Sequence, residues 1–408
     1  MGAPRRASAR TLRRRMVEGL QANGTLTDGR VREAFLAVPR EHFLPATAEA
    51  EGLEAVYVDR AVITRKDDRG APTSSSSQPG IMAIMLERLE LRPGHRVLEI
   101  GAGTGYNAAL LATLVGGTGS VVSVDVQGDL ATAAGRAVAT AGYGSNVQVV
   151  QGDGREGWAA GAPYHRIVLT ASTGTLQRPW LDQLAPEGLL QLPLHLEGPA
   201  VQAVVTLRKE GDRLRSTDVD DGAFMVLRDA QLRTVGPQGS GISVTEQVDG
   251  EHRSLASLAG DGLRRLTPGA RRRLAEVMLQ PPAARRRLRL GPESHPWLYL
   301  RLGRPQDAVM LSSFRSGQPR VSYGPVAAAT TDGRSLAVLA PTEGGRAVTL
   351  ESNGDRRAAG ALVALLDDWR AHGRPGLHDL LVEAHFGSRG AAVVRTRWPH
   401  SSTVSSRR

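Results

Sequence analysis

Nothing in the chain restricts its fold as tightly as Val97-Leu-Glu-Ile-Gly-Ala-Gly-Thr-Gly105, an apolar run ending in three glycines spaced two apart. A buried strand that breaks into such a turn and resumes as a helix opens a parallel α/β sheet. The turn lets a ligand approach the backbone at the topological switch point of that sheet. The flanking sequence repeats the alternation. Short apolar runs over 96–100, 120–124, 147–150, 166–170 and 188–192 predict strands, with helices over 107–115, 129–142 and 180–184 between them. Strands alternating with helices of this length form βαβ units. The expected fold is α/β, a doubly wound Rossmann-like domain over 79–234.

Companion residues narrow the ligand. Glu99 before the turn can hold an ammonium, Asp125 closing the second strand can take both hydroxyls of a ribose, and Asp153 in Gly152-Asp-Gly154 can accept from an adenine amino group. Tyr106 stands where a dinucleotide Gly-x-Gly-x-x-Gly turn needs its last glycine, and no phosphate-binding Lys follows. A ligand with ammonium, ribose and adenine parts is S-adenosylmethionine (SAM). The expected cofactor residues are Glu99, Gly101, Ala102, Gly103, Thr104, Gly105, Tyr106, Asn107, Asp125, Val126, Gly152, Asp153 and Gly154. The plainer reading makes them turn residues at a sheet edge. Enzymes that methylate nucleic-acid amines carry an Asn/Asp-Pro-Pro-aromatic cluster at the exit of the fourth strand. Here that position reads Thr170-Ala-Ser172, which argues against an amine acceptor.

The 408 residues suggest two or three domains, and 41% hydrophobic content supports real cores. Absent cysteine excludes disulfide scaffolds, thiolate metal sites and thiol nucleophiles. No apolar run reaches the length of a membrane helix, and Met1-Gly-Ala-Pro-Arg-Arg lacks a signal-peptide core, so the expectation is a soluble cytoplasmic protein with no membrane partner. Net charge is +10 and nearly all of it is guanidinium, since Lys66 and Lys209 are the only lysines. Such an excess fits a polyanionic partner or GC-rich coding bias equally. Expected boundaries are an N-terminal helical and substrate-loop region over 1–78, the SAM domain over 79–234, a separate α+β extension over 235–395 and a disordered tail over 396–408.

Several stretches together resemble the protein-L-isoaspartate O-methyltransferase family. They are Val31-Arg-Glu-Ala-Phe-Leu-Ala-Val-Pro-Arg-Glu-His-Phe43, Ser77-Gln-Pro before a helix, Val97 to Tyr106, Gly152-Asp-Gly154 and Leu184-Ala-Pro-Glu-Gly-Leu-Leu-Gln-Leu-Pro193, in order. The likeness runs from about Val31 to Leu227. It implies SAM-dependent esterification of a peptide carboxylate, with Ser77 lining the active site. An ionised carboxylate of pKa about 4 needs no general base, so alignment dominates. Ser77, with Ser76 and Thr170, is the expected catalytic group, and Thr73, Ser74, Ser75, Ser76 and Ser77 the expected substrate wall. Ser77 also reads as a helix N-cap.

The likeness has departures. Family members usually carry Thr-Ile-Ser before Gln-Pro, whereas this chain has the serine run, read as a loop over 67–77 after Arg65-Lys-Asp-Asp-Arg69. About 170 residues follow that a repair enzyme is expected to lack. This combination resembles the actinobacterial enzymes of ribosomal peptide (lanthipeptide and graspetide) biosynthesis. The implied reaction is methylation of an Asp side chain in a macrocyclised precursor peptide, leading to succinimide and then isoaspartate. The alternatives are isoaspartate repair of damaged proteins, or an inactive module binding peptide or nucleic acid, against which the intact cofactor turn, Asp125 and Asp153 argue. Past 235 the sequence predicts an Arg-rich helical stretch over 261–290, strands over 296–350 and helices over 357–372 and 376–386. Its arginines read as solvated faces or as a grip for an acidic peptide. His378 and His385 would share a helix face, but no third ligand makes them a metal site. Trp297, Tyr299 and Trp369 read as core.

Overall fold

The computed structural model describes residues 7–68, 70, 72–197, 201–233, 241–248, 251–290, 296–303, 305–315, 325–342, 347–387, 392–398 and 404–407. The strands of the main sheet are β1 (Arg96–Ile100), β2 (Ser120–Asp125), β3 (Val147–Gln151), β4 (Tyr164–Leu169), β5 (Leu184–Glu197), β6 (Val201–Glu210), β7 (Arg213–Asp220), β8 (Leu381–Phe386), β9 (Ala392–Arg397) and β10 (Val404–Arg407). They lie in the order β3-β2-β1-β4-β5-β6-β7-β8-β9-β10. The pairs from β3 to β5 are parallel and the rest antiparallel. Val97, Leu98, Glu99 and Ile100 are all buried, as a central parallel strand covered on both faces requires. The chain order reverses between β1 and β4, which puts the glycine turn at the switch point. The doubly wound Rossmann-like α/β fold is the observed one.

The helix Tyr106–Val115 after that turn is buried almost all round. The helix Gly29–Ala37 covers its outer side, and the helix Ala9–Ala22 packs on that one in turn. Asp28 caps the helix Gly29–Ala37 through the amides of Arg30 and Val31, and Phe35 meets Tyr106 edge to face at 6.4 Å.

Beyond β7 a second, antiparallel sheet holds seven strands, ordered Gly241–Val248, Glu251–Ala259, Ala308–Arg315, Val326–Thr330, Leu336–Pro341, Ala347–Asn353 and Ala284–Arg289. Period-two alternation splits its apolar residues between two helices. Val309, Leu311, Ala327 and Val338 pack with the helix Pro268–Leu279. Met310, Ala328, Leu339 and Leu350 share a cluster with the helix Arg357–Ala371. That cluster continues through Leu298, Leu300 and Trp369 into Leu190, Leu192 and Leu207 of the main sheet.

The structure corrects several readings. The stretch 376–386 is a 3₁₀ turn, Leu377–Asp379, followed by β8, because Val382 and Ala384 are buried at strand period and Glu383 pairs with Arg215. His378 and His385 therefore share no helix face. Residues 261–290 hold a 3₁₀ turn, Asp261–Arg265, one α-helix, Pro268–Leu279, and an arginine-bearing edge strand, Ala284–Arg289. The reading of strands alone over 296–350 misses the buried helix Trp297–Leu302. Thr396, Arg397 and Val404–Arg407 lie in strands, while 399–403 and 408 fall outside the described residues. Arg5 and Arg6 lie outside them too. No helix of the described residues is long and apolar enough to cross a membrane.

Candidate active site

The glycine turn is built from backbone no other residue adopts easily. Gly101 sits at φ +102°, and a Cβ there would lie 2.3 Å from Thr170 Oγ1. That hydroxyl donates to the Gly101 carbonyl at 2.7 Å, tying the end of β4 to the turn. Asp125 holds the other side: one carboxylate oxygen accepts from Gly103 N at 3.0 Å, the other from Gln127 N at 3.0 Å. Burial pushes the Asp125 carboxyl up from its ordinary value.

A cavity of about 400 Å³ opens over this turn. Of the expected cofactor residues, Gly101, Ala102, Gly103, Thr104, Tyr106, Asn107, Asp125, Val126 and Gly154 line it, and Glu99, Gly105, Gly152 and Asp153 do not. Glu99 is fully buried behind the turn, accepting from Asn107 Nδ2 at 2.8 Å and from Ser123 Oγ at 2.5 Å. Burial raises its carboxyl to about 7. In place of gripping a ligand ammonium, it orients Asn107. Gly105 starts the helix in left-handed backbone. The carboxylate of Asp153 accepts from the guanidinium of Arg155 at 2.6 Å and from Ala230 N at 3.1 Å, a pairing that holds its carboxyl low. Gly152 and Asp153 line a shallow depression beside Trp158 instead.

The run read as a loop is a strand. Pro72–Ser76 pairs antiparallel with Val62–Lys66, Ser75 opposite Ile63, and Thr64 Oγ1 lies 3.1 Å from Ser74 Oγ. This hairpin forms the outer wall, with Thr73, Ser74, Ser75, Ser76 and Ser77 all lining the cavity. Arg65 fastens it to the opposite helix through Asp129 at 2.5 Å and Gln127 at 3.2 Å. Ser76 Oγ is buried without a hydrogen-bond partner.

A second cleft of about 700 Å³ lies across the hairpin and shares Ser75, Ser77, Thr170 and Met225 with the first. Ser77, the serine the resemblance points to, is thus at the junction of the two. It is not the cap of the following helix, which starts after Gln78. Asp59 serves that end, accepting from Gly80 N at 2.7 Å and from Gln78 Nε2 at 3.1 Å.

Sequence reasoning missed Asp59 and Arg40; the only signal for the latter was its place in the Val31–Phe43 stretch that carries the resemblance. It also missed that Met225, Val226 and Leu227 close the cavity. Ser172 N donates to the Met225 carbonyl at 2.7 Å, and Leu227 N to the Ser172 carbonyl at 2.8 Å.

The cavity suits SAM. Its volume is in the range of small-molecule sites, and the positive-φ glycines leave a cradle that a Cβ would fill. Asp67 and Asp125 outnumber the lone lining guanidinium, Arg228, as a cationic ligand without phosphates requires. Among the described residues no cluster of three or more metal-ligating side chains occurs.

Residues 11–231 match the family profile described as protein-L-isoaspartate(D-aspartate) O-methyltransferase (PCMT), more than half of the chain. The chain belongs to this family. Similar relatives are the protein-L-isoaspartate O-methyltransferases of Methanopyrus kandleri, 40% identical over 45% of this chain and 77% of that one, and of Methanoregula boonei, 37% identical over 53% and 92%. A solved structure titled protein-L-isoaspartate O-methyltransferase is 24% identical with a TM-score of 0.51 and covers 94% of this chain and 98% of its own. That likeness concerns fold alone, but it includes the C-terminal extension. The Methanoregula boonei relative, by contrast, is matched over nearly its whole length by about half of this chain, so relatives without these residues exist, as expected. The chain is a SAM-dependent carboxyl O-methyltransferase of this family.

Proposed function

We propose that the protein methylates the free α-carboxylate of isoaspartyl residues in damaged polypeptides, the repair reading, in the cytoplasm where such chains are met. The names of its relatives and its membership of the family support this reading over a dedicated biosynthetic one. The single observation that carries it is Ser77 at the meeting of the two cavities. The cofactor belongs in the smaller one, held by the turn 101–104, Asn107 and Asp125, and the peptide in the larger.

When bound, SAM supplies an electrophilic methyl group on a sulfonium. The protein's own work is placement. An isoaspartyl linkage runs the backbone through the side chain and leaves the α-carboxylate ionised near neutral pH, so no proton has to be removed. Ser77 donates to one carboxylate oxygen and leaves the other to face the cofactor cavity. Thr170, committed to the Gly101 carbonyl, keeps the turn in place rather than touching the acceptor. Asp125, with lone pairs to spare beyond the amides of Gly103 and Gln127, would accept from the ribose hydroxyls.

A hydrogen bond to a charged group is worth about 2 kcal/mol, so Ser77→Ala should lower kcat/KM on an isoaspartyl peptide by roughly 30-fold. Cofactor affinity measured by calorimetry should stay within about threefold. An unchanged kcat/KM would remove Ser77 from the acceptor site.

The serine run in place of Thr-Ile-Ser is the observation that favours a second reading: methylation of an Asp side chain in a macrocyclised ribosomal peptide. It calls for turnover of the cyclised Asp substrate and none of linear isoaspartyl peptides.

A further inference from the structure

Resting on that reading of Ser77, the geometry points to Arg40 as the positioning residue that sets the acceptor serine against the cofactor turn. Arg40 is completely buried, and burial pushes its guanidinium pKa down. Placing an arginine there is costly, because taking a charge out of water costs several kcal/mol even after relaxation. Packing alone would be met by a methionine. What the guanidinium adds is a rigid planar fork. Nε donates to the Val56 carbonyl at 3.1 Å and Nη2 to the Ser77 carbonyl at 2.9 Å, while Nη1 faces Met82 Sδ at 3.8 Å. The same group lies over the ring of Tyr106, 5.0 Å from its centroid.

These contacts join three elements that no backbone pairing connects. Val56 precedes the hairpin, Ser77 directly follows it, and Tyr106 is the first residue of the helix after the glycine turn. Ser77 has no helix-cap bond of its own, so its carbonyl is anchored through Arg40. The fork therefore fixes how far the serine at the cavity junction stands from the cofactor turn. In methyl transfer that distance decides the rate, since a misplacement of about 1 Å can cost roughly 100-fold.

The test compares wild type with Arg40→Lys, which keeps the charge but loses the fork, and Arg40→Met, which keeps the stem alone. Backbone amide exchange over 72–78 should rise at least about tenfold in both, while exchange in the helix Tyr106–Val115 stays as in wild type. With an isoaspartyl peptide, kcat should fall by roughly 100-fold and cofactor Kd change by less than about threefold. Unchanged exchange over 72–78 overturns the proposal whatever the substrate proves to be. So does a kcat loss that merely parallels loss of Tm and cofactor binding, or failure of both variants to fold, since Arg40 would then be a fold determinant only. A wild type inactive on isoaspartyl peptides defeats the functional reading, and the exchange result still decides the role of Arg40.

Discussion

Gly101→Ala will cripple SAM binding. The new Cβ would sit 2.3 Å from Thr170 Oγ1 and 3.6 Å from Thr170 Cβ, on backbone at φ +102°. Thr170 is β-branched and short, so it escapes only by rotating its hydroxyl off the Gly101 carbonyl, which unties β4 from the turn. Strain at such a backbone angle adds about 1–3 kcal/mol. The damage falls on the amides and carbonyls that form the cavity floor, so cofactor affinity should drop by at least about 100-fold, equivalent to roughly 2.7 kcal/mol. Gly117→Ala is the control. A Cβ there meets nothing within 4 Å and the backbone is ordinary, so its affinity and Tm should match wild type. Calorimetric titration of both variants checks this; wild-type affinity in Gly101→Ala would mean the ligand sits elsewhere.

Deleting 234–408 will yield insoluble protein rather than a smaller enzyme. Family relatives matched over nine-tenths of their length span only about half of this chain, so shorter members manage without an extension. This one cannot, because its main sheet is finished by the deleted part. β8 pairs with β7, and Val382 N donates to Ser216 Oγ at 2.9 Å. Leu192, Leu194, Val205 and Leu207 of β5 and β6 share a buried cluster with Leu298, Leu300, Leu366 and Trp369 of the extension. Uncovering four such side chains costs roughly 6–12 kcal/mol at about 1.5–3 kcal/mol each, comparable to the whole stability of a domain, about 5–15 kcal/mol. It also leaves β7 as a bare edge ready to aggregate. A soluble, monomeric 1–233 fragment that binds SAM would contradict the continuous core described above.

The parallel sheet was legible because its strands are consecutive buried apolar runs, and the glycine turn because its conformations exclude other residues. The hairpin was not. Its second strand is made of serines, which carry no apolar alternation; it forms because Ile63 and Val62 lend a partner and because hydroxyls, not methyls, wall the cavity. β8 was misread for a different reason. Leu377, Leu380, Leu381 and Ala384 have helical spacing, and only pairing with β7, far earlier in the chain, makes the segment a strand. Asp153 was assigned to the ligand on position alone. Arg155, two residues on, takes that carboxylate, a choice between partners that spacing cannot reveal. Glu99 was placed at the right turn but on the wrong side of it, since strand alternation buries it toward Ser123.

The most direct measurement is mass spectrometry of matched linear peptides, identical except for Asp or isoAsp at one position, after incubation of the full chain with SAM. A macrocyclised Asp peptide would stand beside them. Repair activity predicts gain of one methyl group on the isoAsp peptide and none on either Asp peptide. A methyl group or loss of one water on the cyclised Asp peptide alone would contradict it and establish the biosynthetic reading in its place.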